Sequence, residues 1–135
     1  MAMYLGRDKI NEIKDIIPED KEDVKKYLNN EIVGGGNLDG IKSIRMFAYY
    51  NQKNLESIIL PETLETLGSR AFYGCSSLKR VTCKAKTPPT INTFDSNYFG
   101  TNIEVIYVPV GCSSIYSSAN KWSQYADKIV EKEGL

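Results

Sequence analysis

The 135-residue chain contains no histidine. That removes the side chain most used as a general base near neutral pH and the commonest metal ligand together. Cysteine is scarce, at Cys75, Cys83 and Cys112. An odd count makes a poor disulfide framework, and the spacing matches no zinc pattern, so neither a metal nor a cofactor is expected. Charge of neither sign dominates, since 17 Lys/Arg balance 17 Asp/Glu. A zero net charge exerts no long-range pull on nucleic acid or an anionic membrane. A mild acidic excess in residues 1–33 and a mild basic excess in 41–109 are both too small to name a partner. No apolar run approaches about 18 residues, so membrane insertion is not expected. The opening stretch, residues 1–9, has no apolar h-region, and no signal peptide is predicted there. The length suits one domain with end pieces and a modest core.

What the chain does have is a repeat. Leu55-Glu56-Ser57-Ile58-Ile59-Leu60-Pro61 recurs as Leu78-Lys79-Arg80-Val81-Thr82-Cys83, then as Ile103-Glu104-Val105-Ile106-Tyr107-Val108-Pro109. A period of about 20–50 residues is the signature of a solenoid, whose units bury their apolar faces by stacking on one another. Ile41-Lys42-Ser43-Ile44 likewise falls on Leu64-Glu65-Thr66-Leu67, and Ala48-Tyr49-Tyr50 on Ala71-Phe72-Tyr73. The overlap is gapless from 41–58 to 64–81.

Each unit has a physical reading. Residues 58 and 60 share one strand face, and Leu55 enters from the preceding turn. Pro61 ends the strand because it lacks a ladder donor. Leu64 and Leu67 make a second short apolar edge, and Gly68 allows the turn that follows. Ala71 and Phe72 enter the core from the far side, and Gly74-Cys75-Ser76-Ser77 turns the chain back. Cys75 is read as a buried, inert small hydrophobe. In the irregular third unit, Thr87-Pro88-Pro89-Thr90 replaces the usual strand exit. There Phe94 and Phe99 flank a polar insert, Asp95-Ser96-Asn97-Tyr98.

The ends read differently. Residues 1–17 alternate loosely, consistent with a short strand or hairpin. Pro18 and the acids after it predict a helix near 19–29, with Val24, Tyr27 and Leu28 on one stripe. Gly34-Gly35-Gly36 lacks the sequence context of a phosphate loop and is read as a turn. After Gly111 the pattern turns helical, with Ser113 or Ser114 able to cap. Ile115, Tyr116, Ala119, Trp122, Tyr125, Ile129 and Val130 carry an apolar stripe to the end. The expected organisation is an N-terminal cap over 1–40, repeats over 41–109 and a C-terminal cap over 110–135.

Three stretches together resemble the BspA-like leucine-rich repeat family. They are Leu55-x-x-Ile58-x-Leu60-Pro61, Leu64-x-x-Leu67-Gly68-x-x-Ala71-Phe72-x-Gly74-Cys75-x-x-Leu78, and Tyr107-Val108-Pro109-x-Gly111 with Tyr116 and Trp122. The resemblance covers about residues 41–130. It departs from the family in having few repeats and in a first unit with Asn51-Gln52 where Gly74-Cys75 stands in the second. It implies an α+β repeat fold, a short leucine-rich-repeat solenoid of about three units with parallel strands and helical N- and C-terminal caps. It also implies a surface protein that binds host proteins, matrix or other cells, located outside the cell or on its surface. Some members are phage structural proteins, and Met3–Ile10 resembles the starts of some phage tail-associated proteins. A structural or assembly component of a phage or prophage tail, or of a larger surface protein, is therefore the alternative, with a virion or cytoplasmic location.

The strand register sorts inside from outside. Ile58/Leu60, Val81/Cys83 and Ile106/Val108 should point inward. The outward residues should stack in rows: Glu56, Lys79, Glu104; then Ser57, Arg80, Val105; then Ile59, Thr82, Tyr107. Strands lie about 4.8 Å apart, so the first row sets a lysine between two glutamates, which can help a sheet by roughly 0.2–1 kcal/mol per pair. Arg80 and Tyr107 have no evident partner within their rows, and both residue types are common at binding hot spots. The expected interaction surface is Glu56, Ser57, Lys79, Arg80, Glu104 and Tyr107, facing a protein partner. Catalysis is not expected. The cysteines sit at core-like positions, and Glu56 and Glu104 should stand about 9–10 Å apart at the backbone with a lysine between them, a poor acid–base pair.

Overall fold

The computed structural model describes residues 37–135. The strand expected in 1–17, the helix near 19–29 and the glycine turn at 34–36 lie outside the described residues. Among the described residues seven strands form two parallel sheets. The larger sheet contains β2 (Ser57–Leu60), β4 (Arg80–Cys83), β6 (Val105–Val108) and β7 (Ile129–Glu131), paired in that order. The smaller contains the two-residue strands β1 (Ser43–Ile44), β3 (Thr66–Leu67) and β5 (Thr90–Ile91). Strands that pair side by side stand one repeat apart in sequence.

Alternation builds the larger sheet, because successive side chains of a strand face opposite ways. Ile58, Leu60, Val81, Cys83, Ile106 and Val108 are all fully buried, as the repeat predicts. The ladder joins Ser57 to Arg80 and Arg80 to Val105, then Ile59 to Thr82 and Thr82 to Tyr107. Leu55, Leu78 and Ile103 enter the core just before these strands. β2 stops at Leu60, before Pro61. The smaller sheet follows the same logic, with Ser43, Thr66 and Thr90 on its outer side and Ile44, Leu67 and Ile91 within.

A third side is made of turns that also bond to one another. The Phe47 amide donates to the Ser69 carbonyl, Tyr49 to Ala71 and Asn51 to Tyr73, at 3.1, 2.7 and 2.7 Å. Phe47 and Arg70 hold equivalent places with φ of 62° and 55°. At Gly68 the backbone of Met46 and Arg45 lies so near that a Cβ would collide with it. Gly68 thus permits a close approach between units.

Rings run through the core from unit to unit. Tyr49 stacks on Phe72 with centroids 5.3 Å apart, Phe72 packs on Phe99 at 5.3 Å, and Phe99 on Trp122 at 5.5 Å. Trp122 then meets Tyr116 edge to face at 5.0 Å. Tyr98, expected within a polar insert, is a core residue 4% exposed whose hydroxyl donates to the Gly68 carbonyl. Phe94, expected to flank that insert as an apolar residue, stands fully in solvent.

The C-terminal segment departs from a continuous helical stripe. Helix α1 spans Ser113–Ser118 and a 3-10 helix spans Ser123–Lys128. Cys112 holds the N-cap position of α1 without a side-chain cap, so neither Ser113 nor Ser114 caps it. Ile115 faces solvent. Ile129 and Val130 belong to β7, which pairs Ile106 with Ile129 and Tyr107 with Val130. The repeat period carries one strand further than the motif suggested, because three residues suffice for a ladder when a formed strand already offers its edge.

Candidate functional site

The outward face of the larger sheet gathers the residues expected at an interaction surface. Glu56, Lys79 and Glu104 precede β2, β4 and β6 and are exposed. Their backbones continue the ladder, with the Lys79 amide donating to the Glu56 carbonyl at 2.9 Å and the Glu104 amide to the Lys79 carbonyl at 2.8 Å. Their side chains do not follow. The ion pair formed among the described residues is Arg70–Asp95, and Lys79 joins neither glutamate. Fully solvated long side chains gain little from pairing and lose rotamer freedom, which favours three separate charges over the expected charge ladder.

Ser57 and Arg80 are paired in register, Ser57 half-buried and Arg80 exposed. Arg80 makes no ion pair with any described residue. Tyr107 is half-buried in the row Ile59–Thr82–Tyr107, as expected. It has a partner that the motif did not reveal. The Lys132 ammonium lies over its ring, 4.7 Å from the centroid. Such a contact at an exposed site contributes about 0.5–1 kcal/mol.

β7 widens that row to four residues, Ile59, Thr82, Tyr107 and Val130. Its two ends are apolar side chains open to solvent, Ile59 at 49% and Val130 at 47%. Sequence reasoning missed Val130 and Lys132 as members of this face. The signal was the period itself, since Ile129 follows Ile106 at the same 23-residue step as Thr66 follows Ser43.

All three cysteines are free and buried. Burial pushes the Cys75 thiol up to about 12, and its Sγ donates to the Tyr49 carbonyl at 3.0 Å. Burial raises the Cys83 thiol as well. Raised thiols stay protonated and are poor nucleophiles. The Tyr116 hydroxyl, raised by burial, donates to the Ala85 carbonyl at 2.7 Å and so ties α1 to the strand exit after β4. Among the described residues no group of His, Cys, Asp and Glu could hold a metal ion, and no helix is long and apolar enough to cross a membrane.

Residues 37–130 match the family model described as a BspA type leucine rich repeat region of six copies. No curated protein matches the chain.

Proposed function

The chain belongs to the BspA-type leucine-rich repeat family, and from that premise we propose that it is a non-catalytic protein-interaction module working at a cell surface, on host or matrix proteins. In this reading it is a short solenoid of about three units, with residues 41–109 as the repeats and segments 1–40 and 110–135 as caps. The partner docks on the outward face of the larger sheet.

One observation carries the reading: the in-register row Ile59–Thr82–Tyr107–Val130, apolar at both ends, with exposed Arg80 on the neighbouring row. Four hydrogen-bonded strands hold these side chains at fixed spacing, so little conformational freedom is lost on docking. An aromatic ring and an arginine on a stiff, partly apolar platform match the composition of binding hot spots. Glu56, Ser57, Lys79 and Glu104 supply a polar rim around them.

The test is capture from host-cell and extracellular-matrix extracts by wild type and by Arg80→Glu/Tyr107→Ala, with both shown to be folded. A partner held by wild type and released by the double variant supports the reading. A partner held equally by both overturns the face. Capture by neither, with wild type forming a defined oligomer, would move the assignment to an assembly component.

A further inference from the structure

A cleft of about 500 Å³ opens beside the turns that follow β3 and β5, and it shares no residue with the outward sheet face. Its apolar side is the rim of Tyr73, 54% exposed, whose ring stacks on Tyr50 with centroids 5.6 Å apart and carries the Arg70 guanidinium 5.7 Å from its centroid. Phe72 and Tyr98 close the floor as buried core residues. The rest of the lining is mostly hydroxyl and amide side chains, among them Ser76, Thr101 and Asn102. Among the described residues Arg70 and Asp95 are the charged members of its lining, and they neutralise each other through an Nε–Oδ2 contact of 2.8 Å, with the Lys121 ammonium behind them on the Asp95 carbonyl at 3.4 Å.

Hydrogen-bonding capacity is left over. Arg70 meets Asp95 through Nε, so its two terminal nitrogens remain. Asp95 takes Arg70 and Thr93 on Oδ2, which leaves Oδ1. Asn102 donates from Nδ2 to the Ser76 carbonyl at 2.7 Å and keeps its own oxygen. The cleft is also held in shape from behind. Gln124 accepts from the Asn97 amide at 2.6 Å, and the Tyr125 hydroxyl donates to the Gly100 carbonyl at 2.8 Å.

We propose that this cleft binds a neutral saccharide, its ring hydroxyls bonded by Arg70, Asp95 and Asn102 and an apolar edge set against the exposed rim of Tyr73. The volume lies within the range of about 300–1,000 Å³ usual for small-ligand sites. A guanidinium, a carboxylate and an amide offer donors and acceptors together, which suits groups that both give and take hydrogen bonds. Arg70 is already paired with Asp95 and the Lys121 ammonium is turned to the Asp95 carbonyl, outside the lining, which disfavours an anion. Peptides and acidic glycans are the competing occupants.

The test places the full chain on an array of neutral glycans, acidic glycans and extended peptides, and quantifies each hit by calorimetry. Thr101→Trp blocks the cleft from an exposed position, and Asp95→Asn removes its acceptor charge. Arg80→Glu/Tyr107→Ala serves as a control on the separate sheet face. A neutral glycan bound by wild type and by the control, and weakened about tenfold or more by the two cleft variants, is the expected result. Amide shifts on titrating labelled wild type should then move in 70–76 and 95–102, which keeps the test valid if a variant folds poorly. No neutral glycan bound, binding indifferent to the cleft, or preference for an acidic glycan or a peptide would overturn the proposal. Loss of protein capture in the control alone would concern the sheet face and leave the cleft standing.

Discussion

Asn51 and Gly74 occupy the same place in successive units and both turn with positive φ, 59° and 82°. Asparagine is the residue that best tolerates what glycine does freely. The first unit therefore departs from the family pattern in identity and keeps it in conformation. The two are also in contact, because a Cβ at 74 would run into the Asn51 amide. Gly74→Ala should cost about 1–2 kcal/mol from left-handed strain alone, with the clash adding to it. Asn51→Gly in the same chain should return the steric share, which urea denaturation of the single and double variants will measure.

Phe72 stacks on Tyr49 and packs against Phe99, so it touches the units on both sides. Phe72→Ala should lower stability by about 3–5 kcal/mol, the range for truncating a buried aromatic. A variant that melts like wild type would contradict the packing.

Tyr116→Phe keeps the ring against Trp122 and removes the bond to the Ala85 carbonyl. The carbonyl is then left buried without that donor, a loss of about 1–3 kcal/mol. Equal midpoints for variant and wild type would mean that water replaces the hydroxyl.

All three thiols are buried, and that of Cys75 is pushed up to about 12 by burial. A disulfide-exchange reagent should find no reactive thiol in the folded protein and three after denaturation. The linkage has a definite sign. The folded thiol keeps its proton above the ordinary value of 9.0, so its contribution is complete below 9.0 and is lost as pH rises toward 12.

Glu131 is held below its ordinary 4.5, chiefly by the Ser113 hydroxyl, which donates to it at 2.8 Å. A depressed carboxyl contributes stability above its unfolded value and loses it as pH falls through the folded one. Glu131→Gln should melt lower than wild type near neutral pH, and the gap should close as pH drops below 4.5. A gap that is constant with pH would rule out the carboxylate.

Much of this architecture was legible because the repeat compares the chain with itself. Aligning Leu55 with Leu78 and Ile103 places every central strand, and alternation then assigns Ile58, Val81 and Ile106 to the interior. Reading stopped where that comparison lost its anchor. Ile129-Val130 has no leucine before it and no proline after it, and a short apolar run does not distinguish strand from helix. Tyr98 looked polar beside Asp95, Ser96 and Asn97, and only the approach of Gly68 from the preceding unit reveals its acceptor. Lys132 over Tyr107 depends on β7 and was hidden with it. The cleft joins Arg70 to Asp95 across two units, and no local pattern announces such a pair.

The larger sheet pairs its strands strictly in chain order, β2–β4–β6–β7. Along this sheet each strand bonds only to the strand before it and the strand after it, so its ladders form a line of couplings. Disorder that starts at one end meets the ladders one at a time, and the far end keeps its own until the front arrives. The weakest link then sets how far an opening spreads, and Phe72 and Phe99 fasten the middle.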